Sequence, residues 1–361
     1  MDFARKIQFL TLDVISDIGF GEAFGDLRAD ADVNDYIKSG EEGLMVLTLF
    51  MALGLTDFLQ IPFIARWLGP SEKDATGFGR IMANARSTIE ARLQRDTEKS
   101  SDMLASFIRH GLNADELLTE STLQIIAGSD TTAAALRGIM LYLVSHPRVY
   151  AKLQAELDAA ERDGVAPPLT DIISDTAVRK LPYLQAVIKE GIRIHPPVTD
   201  QMPKRVPDGG DTVVVDGKPV FLPGGTNIGY AALPLNMRED TFGPDAHEFR
   251  PERWLLEKDS ARLAAMNRTH ELIFGYGKYQ CLGKPVALME IGKTVFEVFP
   301  PPQVIVKIQP GSVELTLHSS VKLMRNFDWC LARPETPWKE YNFMGIFTHS
   351  DMWVQVTDRR S

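Results

Sequence analysis

The stretch Phe274-Gly-Tyr-Gly-Lys-Tyr-Gln-Cys281-Leu-Gly283 places glycines on both sides of one cysteine, and a helical pattern follows it from Lys284 to Phe299. Glycines let a backbone approach a flat partner closely and let its amides point at a thiolate. A sulfur near a helix N-terminus also has its negative charge stabilised by the helix dipole. Cys281 therefore has the surroundings that a thiolate ligand of iron requires. A glycine-rich turn with an incidental buried cysteine is the alternative interpretation of these residues alone.

The longest apolar periodicity in the chain begins at Asn113 and continues to His146-Pro147. Its first residues, Asn-Ala-Asp-Glu, resemble a capping box, so the pattern predicts a helix of about 30 residues, roughly 45 Å long. A helix of this length would cross the core of a domain. At its middle lies Ala127-Gly-Ser-Asp130-Thr131-Thr132, whose short polar side chains are expected to open the helix locally and hold water. The alternative is that Ser129 or Asp130 caps a new helix.

A second helical pattern runs from Leu181 to His195 and is stopped by a double proline, because proline lacks an amide donor. It contains Glu190-Gly-Ile-Arg193, whose two charges lie three residues apart on one helix face. An isolated pair of this kind predicts a weak surface ion pair. Downstream, a hairpin pattern turns at Asp216-Gly217, and Pro251-Glu-Arg253-Trp254 follows in irregular chain.

Together these motifs resemble the cytochrome P450 family. The residues that match its cysteine-ligand loop are Phe274, Gly277, Cys281 and Gly283. The Asp130-Thr131, Glu190–Arg193 and Pro251–Trp254 motifs precede that loop in the order that the family shows. Residues 3–95 and the tail from Met324 are similar to the same family, nearest to its fungal pisatin-demethylase-like members. The resemblance implies a mainly α fold with minor β, in which a long central helix lies over the cysteine loop.

The resemblance also implies haem b as the cofactor, with the thiolate of Cys281 as the axial ligand of its iron. The other residues implied around the cofactor are Phe274, Gly277, Gly283 and Tyr279. The residues implied to deliver protons to oxygen are Asp130 and Thr131. The residues implied to form a buried network that supports the haem loop are Glu190, Arg193 and Arg253.

The function implied by the resemblance is that of a monooxygenase, which inserts one atom of O₂ into a small apolar organic substrate in fungal secondary metabolism. Electrons are implied to come from NADPH through cytochrome P450 reductase. The reductase is implied to dock near Lys278 and Lys284. The segment from Val198 to Met202 is similar to one that lines the substrate pocket. The segment from Leu44 to Leu59 is similar to a region that roofs the pocket and often touches membrane, although such an apolar stripe alone is more typical of a core.

Two departures from the family pattern bear on these expectations. Two positions before the cysteine the family carries Arg or His for a haem propionate, whereas this chain has Tyr279, which brings no positive charge. The N-terminal part of the family, with its membrane anchor and first sheet strands, has no counterpart in the chain, so we expect weakened haem retention. A truncated, non-catalytic pseudoenzyme is therefore the main alternative function. A haem-thiolate isomerase or dehydratase is a weaker alternative function. Such an enzyme needs no proton relay to oxygen, so the presence of the Asp130-Thr131 pair disfavours it.

A proline run, Phe299-Pro-Pro-Pro302, ends the helix after the cysteine loop, and a strand-like run follows it before Met324. In the family this helix usually passes directly into the final sheet segment. We therefore expect residues 300–323 to be an insertion, derived from unspliced sequence, in a single P450-like domain that spans residues 1–361.

The composition excludes several other classes of protein. With 361 residues, 44% hydrophobic and 24% charged, the chain has the composition of an ordinary globular protein. Two cysteines far apart in sequence give no disulfide framework and fit a reducing compartment. The net charge of −9 disfavours nucleic-acid binding.

The most apolar stretch, Gly43 to Thr56, is shorter than the ~18 residues of a membrane span, which favours a buried or interfacial helix. The resemblance implies that full-length relatives are anchored to the endoplasmic reticulum membrane. Without an anchor, this chain is expected to be cytoplasmic or peripheral to a membrane.

Overall fold

The computed structural model of the chain describes residues 1–55, 58, 61–94, 100–167, 171–199, 203–297, 305–309, 312–318, 327–343 and 345–358. Helices dominate these residues and strands form short antiparallel pairs, so the predicted mainly α class with minor β is confirmed. Among the described residues no helix combines the length and the apolar character needed to cross a membrane.

The helices are, in chain order, α1 (Phe3–Phe20), α2 (Asp26–Ala29), α3 (Tyr36–Ala52), α4 (Pro62–Leu68), α5 (Gly77–Leu93), α6 (Met103–Arg109), α7 (Ala114–Ser145), α8 (Pro147–Arg162), α9 (Asp175–Val178), α10 (Pro182–Ile194), α11 (Ala232–Asn236), α12 (Glu239–Phe242), α13 (Arg253–Leu256), α14 (Ser260–Glu271) and α15 (Lys284–Glu297). The strands are β1 (Lys204–Arg205), β2 (Asp211–Val215), β3 (Lys218–Leu222), β4 (Asn227–Ile228), β5 (Ile305–Gln309), β6 (Ser312–His318), β7 (Phe327–Leu331), β8 (Lys339–Phe343), β9 (Ile346–Ser350) and β10 (Val354–Asp358). Within the described ranges the strands pair as β1–β4, β2–β3, β5–β6, β7–β10 and β8–β9.

The predicted long helix is α7, with 32 residues and a complete capping box at its start. The Asn113 side chain accepts hydrogen bonds from the amides of Asp115 and Glu116, and the Glu116 carboxylate accepts from the Asn113 amide at 2.8 Å. The expected local opening and the alternative of a new cap are both wrong, because α-helix continues through Asp130 and Thr131. The Thr131 hydroxyl instead donates to the carbonyl oxygen of Ala127 at 2.9 Å, so the helix itself satisfies this side chain.

The centre of α7 forms the middle of the hydrophobic core. Its residues from Ala133 to Met140 are buried, and α1, α10 and α15 pack around them. Helix α1 begins at an Asp2 cap and ends at Gly21, whose φ of 77° stops the helix in the left-handed region. This arrangement makes α7 the element against which the other helices are positioned.

Helix α10 approaches α7 closely at Gly191. A β-carbon built on Gly191 would lie 2.5 Å from Cγ1 and 3.2 Å from Cα of Ile139, which leaves no room for a side chain. Pro182 is the first residue of α10, where a backbone N–H has no partner within the helix, so proline loses no helical hydrogen bond there. Pro196 follows the last turn. The sequence therefore fixes both the length of α10 and its contact with α7.

The apolar segment after Gly43 lies partly in the core and partly at the surface. Leu44 is buried in α3, whereas Met45 and Leu49 of the same helix are exposed. This agrees with the expectation of a buried or interfacial helix. Residues 56, 57 and 59 of the predicted roof lie outside the described residues.

Several predicted features lie wholly or partly outside the described residues. Strands β5 and β6 form an antiparallel pair inside the predicted insertion at 300–323, but residues 300–304, 310–311 and 319–323 are outside the described ranges. The insertion therefore stays a prediction. Residues 200–202 of the predicted pocket segment also lie outside them, as does the proline run from Phe299 to Pro302.

The close approach of α10 to α7 generates a stability prediction. We expect Gly191→Ala to lower the free energy of unfolding by about 1–3 kcal/mol, because the added methyl overpacks the contact with Ile139. Urea unfolding followed by circular dichroism measures this change. The matched control is Gly19→Ala in α1, where the nearest atom to a new β-carbon is 3.8 Å away and helix propensity predicts a gain of up to about 1 kcal/mol. A Gly191→Ala protein as stable as the parent would contradict the described packing.

Candidate active site

The cysteine loop is closed by one backbone hydrogen bond and two glycines. The Cys281 amide donates to the Phe274 carbonyl oxygen at 2.7 Å, so the chain between them forms a tight turn. Gly275 and Gly277 have φ of 75° and 64°, in the left-handed region that other residues rarely adopt. A β-carbon on Gly275 would also lie 2.9 Å from the Tyr279 carbonyl oxygen. The loop therefore keeps its shape only with glycine at these positions.

Cys281 lies immediately before the first turn of α15. The Ala287 amide donates to the Gly283 carbonyl oxygen at 2.8 Å, so helical bonding starts two residues after the cysteine. The cysteine is exposed, and Leu282 beside it is 97% exposed. The burial that the alternative interpretation predicts for this cysteine is therefore wrong. An exposed sulfur at a helix N-terminus, next to apolar surface, suits an anionic ligand of a flat apolar partner.

Glu190, Arg193 and Arg253 meet in one buried ion network. The Arg193 guanidinium donates to both Glu190 carboxylate oxygens, at 2.9 and 2.8 Å, and Arg253 Nε donates to Glu190 Oε1 at 2.8 Å. The side chains of Glu190 and Arg193 are 0% exposed and that of Arg253 is 2% exposed. The alternative of a surface ion pair is therefore wrong.

The same network satisfies a run of backbone groups in the irregular chain that leads towards the cysteine loop. Arg193 Nη1 donates to the carbonyl oxygens of Asn236 and Ala246, both at 2.7 Å. Glu190 in turn accepts from the Arg250 amide at 2.9 Å and from the Trp254 indole at 2.8 Å. One end of α10 thus positions the chain from residue 236 to residue 254.

Asp130 is connected to α1 through two residues that the sequence alone did not single out. Gln8 Nε2 donates to the Asp130 carboxylate and, at 3.0 Å, to the Ser129 hydroxyl. Gln8 Oε1 accepts from Arg137 Nη2 at 2.5 Å, and Arg137 also donates to the Ala4 carbonyl oxygen. Burial raises the pKa of the Asp130 carboxyl, with Arg137 opposing this. Only the packing of α1 on α7 brings these side chains together, so no short motif could have revealed them.

A small cavity lies beside Asp130, between α7, α1, α3 and α5. Its volume is about 10 Å³, close to the space that one water molecule requires. Its lining includes Asp130, Ser129, Gln8, Gly40 and Tyr36. The space for a water molecule therefore lies beside α7. It does not lie where the sequence predicted it, within a locally opened turn of α7.

The chain after the double proline contacts the turn between β8 and β9. The Thr199 amide donates to the Gly345 carbonyl oxygen at 2.6 Å, and Asn342 Nδ2 donates to Thr199 Oγ1 at 3.3 Å. Val198 forms an isolated bridge with Ile346. The predicted pocket segment is thus paired with a C-terminal turn that sequence analysis did not connect with it.

A family model for cytochrome P450 matches residues 1–300. The chain belongs to the cytochrome P450 family. It is 41% identical over 361 residues to cytochrome P450 monooxygenase ABA1 of Pyricularia oryzae and 37% identical over 359 residues to cytochrome P450 monooxygenase aba1 of Botryotinia fuckeliana. These alignments cover 99% of the chain and 64% of each relative, so the chain spans somewhat less than two-thirds of their length. It is also 28% identical to cytochrome P450 monooxygenase gsfF of Penicillium aethiopicum, over 99% of the chain and 66% of that relative.

Tyr279 lies beside a lysine from another part of the P450 chain. Lys204 Nζ is 4.4 Å from the centre of the Tyr279 ring, and Lys278 Nζ is 5.7 Å from it. Sequence analysis missed Lys204, which lies in β1, seven residues after Pro197. The phenol and the ammonium group together offer a hydrogen-bond donor and a positive charge. The surroundings of Tyr279 can therefore hold a carboxylate.

The loop residues of this P450 chain fit the haem that the family implies. The donor set is a single exposed thiol at a helix N-terminus, which matches a thiolate iron ligand. Tyr279 and Lys204 lie together at the loop with a hydrogen-bond donor and a positive charge that would suit a propionate, and the exposed Tyr276 and Leu282 add apolar surface. Two lysines were predicted to lie where a reductase docks. Lys284 forms an ion pair with Glu271, and Lys278 is exposed to solvent.

The buried network of this P450 chain generates a second stability prediction. We expect Glu190→Gln to lower the free energy of unfolding by about 3–5 kcal/mol, because it leaves the buried Arg193 guanidinium without a carboxylate among the described residues and takes the Glu190 carboxylate from Arg253, which keeps its ion pair with Asp245. Urea unfolding measures the loss. The matched control is Asp175→Asn, which breaks the more exposed Asp175–Arg179 pair and should change stability by about 0.5 kcal/mol or less. Equal effects of the two substitutions would show that the network does not stabilise the fold.

Proposed function

We propose that this chain forms the catalytic part of a haem-dependent monooxygenase in which the Cys281 thiolate binds the iron of haem b. The single observation that carries the proposal is the exposed Cys281 sulfur, held by a glycine-closed loop immediately before α15. The similar proteins from Pyricularia oryzae, Botryotinia fuckeliana and Penicillium aethiopicum are named as monooxygenases, which supports the reaction class. The reaction inserts one atom of O₂ into a small apolar organic substrate, and we place it in fungal secondary metabolism.

Bound haem would supply the iron centre at which O₂ is activated, with the thiolate donating electron density to it. Cys281 provides that thiolate, and the α15 dipole stabilises its charge. Tyr279 and Lys204 would bind a propionate of the cofactor by a hydrogen bond and by charge. The Glu190 network keeps the preceding chain in place, so that the loop has one conformation when the cofactor binds.

Asp130 and Thr131 would move protons towards the reacting oxygen. Burial raises the pKa of Asp130, so its carboxyl holds a proton more readily than an exposed one does. The Thr131 hydroxyl donates to Ala127 within its own helix, and it can exchange this bond for one to water. Gln8 fixes the Asp130 carboxylate from the side of α1. The cavity beside Asp130 offers space for one water of such a path.

The partners of the reaction are NADPH–cytochrome P450 reductase, as the source of electrons, and O₂. The exposed Lys278 lies in the cysteine loop, where a positive charge would favour docking of an acidic partner surface. Phe63 and Trp67 in α4 are 73% and 76% exposed, and the exposed apolar residues of α3 precede them in sequence. We propose that this surface makes peripheral contact with a membrane, where apolar substrates dissolve.

Thiolate ligation generates the direct test of this function. We expect the reduced, haem-reconstituted protein to give the carbon-monoxide difference spectrum of a thiolate-bound iron. Cys281→Ser should lose that signature, because a hydroxyl cannot replace the thiolate. Absorption spectroscopy of the two proteins measures the difference.

The matched control is Cys330→Ser, which removes the second exposed cysteine of the chain, in β7. This variant should keep the thiolate signature. Absence of haem uptake by the parent protein would contradict the proposal and favour the non-catalytic pseudoenzyme. A signature retained in Cys281→Ser would show that another group binds the iron.

The proton path generates a kinetic prediction. With purified reductase and an alkoxycoumarin probe that the parent dealkylates, we expect Asp130→Asn to lower product formation by about 10²-fold or more, the scale of general acid catalysis. The carbon-monoxide spectrum should be unchanged, because Asp130 does not bind iron. Glu120→Gln, at an exposed position of the same helix, is the control and should keep the parent rate. A parent-like rate in Asp130→Asn would remove this residue from the mechanism.

A further inference from the structure

His195, Glu340 and His349 converge at the C-terminal end of α10. His195 follows the last residue of that helix, and Glu340 and His349 face each other across the β8–β9 pair. Nε2 of His195 is 2.9 Å and Nε2 of His349 is 3.2 Å from the same carboxylate atom, Oε2 of Glu340. One nitrogen from each ring and one carboxylate oxygen thus lie within 4.8 Å of one another.

The spacing of these three atoms suits one divalent transition-metal ion. In a tetrahedral zinc site, bonds of about 2.0–2.2 Å place two ligand atoms roughly 3.3–3.5 Å apart. The two contacts to Glu340 are shorter than this by only a few tenths of an ångström. Two imidazoles and one carboxylate are also a ligand set that zinc accepts, with a fourth position left for water.

The surroundings hold the two rings while leaving the site open on one side. The His349 ring centre is 4.1 Å from that of Trp338, and the His195 ring centre is 4.4 Å from that of Phe347. The histidine side chains are 8% and 0% exposed, whereas the Glu340 side chain is 36% exposed. Solvent can therefore reach the carboxylate and supply a water ligand.

The second nitrogen of each ring is available to carry the ring proton. Nδ1 of His195 and Nδ1 of His349 have no hydrogen-bond partner among the described residues. Each neutral imidazole can therefore keep its proton on Nδ1 while Nε2 binds a metal ion.

We propose that His195, Glu340 and His349 form a structural binding site for Zn²⁺, completed by water. The ion would join the end of α10 to the β8–β9 hairpin. The same two parts of the chain are already linked by the Phe347 amide, which donates to the Pro197 carbonyl oxygen at 3.1 Å, and by Thr199 with Gly345. Zinc would therefore fix the predicted pocket segment against the hairpin turn, independently of whether haem binds at Cys281.

The test uses the full chain with Co²⁺ as a spectroscopic probe and Zn²⁺ as competitor. We expect one Co²⁺ per chain, a visible d–d spectrum, and displacement by one equivalent of Zn²⁺, with metal content measured by mass spectrometry. His349→Ala and the isosteric Glu340→Gln should each lower the affinity at least about tenfold. His110→Ala, which removes an exposed histidine after α6, is the control and should bind like the parent.

All measurements are made in a Cys281→Ser, Cys330→Ser background, since both exposed thiols are themselves metal ligands. Circular dichroism of each variant shows whether it is folded. If His349→Ala does not fold, the loss of metal affinity is measured with Glu340→Gln. Absence of Co²⁺ and Zn²⁺ binding in this background would overturn the proposal and leave a purely hydrogen-bonded triad. Binding that is equally tight in folded His349→Ala and Glu340→Gln would overturn it as well. No haem is involved, so a failure here leaves the proposed monooxygenase function untouched.

Discussion

The buried carboxylate of Glu190 is the constraint on which the candidate site depends. It accepts hydrogen bonds from two guanidinium groups, an indole and a backbone amide, all within 2.9 Å, and its own side chain is 0% exposed. Removing these charges from water is costly, and the cost is offset only when every donor and acceptor is paired. The carbonyl oxygens that Arg193 and Arg253 bind complete this pairing. These hydrogen bonds position a stretch of irregular chain that has few backbone hydrogen bonds of its own.

This rigid support contrasts with the open cysteine loop that follows it. The network is sealed in the interior, whereas Cys281 and its neighbours present sulfur, aromatic rings and lysine to the surface. A residue that binds a large cofactor has to stay accessible. Its position therefore has to be fixed by the residues that pack behind it. The long α7 serves the same purpose on its own side, since it carries Asp130 and Thr131 on a helix packed all round at its centre.

Local signals predicted much of this fold. The cap at Asn113, the proline that begins α8, the prolines after α10 and the Asp216-Gly217 turn each have a local physical cause. Each was found where the sequence indicated. The contacts that join distant segments were not predictable. Nothing in the sequence links Lys204 to Tyr279, because that contact exists only after the chain has folded back.

The interior of α7 shows where local reasoning failed. The polar run around Asp130 and Thr131 indicates a weakened helix, yet each side chain finds a partner that keeps the helix intact. For Thr131 the partner lies four residues earlier, and for Asp130 it is Gln8 on another helix.

Iron K-edge X-ray absorption of the reconstituted protein tests the central claim of cysteine ligation most directly. We expect one sulfur in the first coordination shell of the iron, retained in Cys330→Ser and lost in Cys281→Ser. A shell without sulfur, or sulfur that persists in Cys281→Ser, would contradict ligation by Cys281.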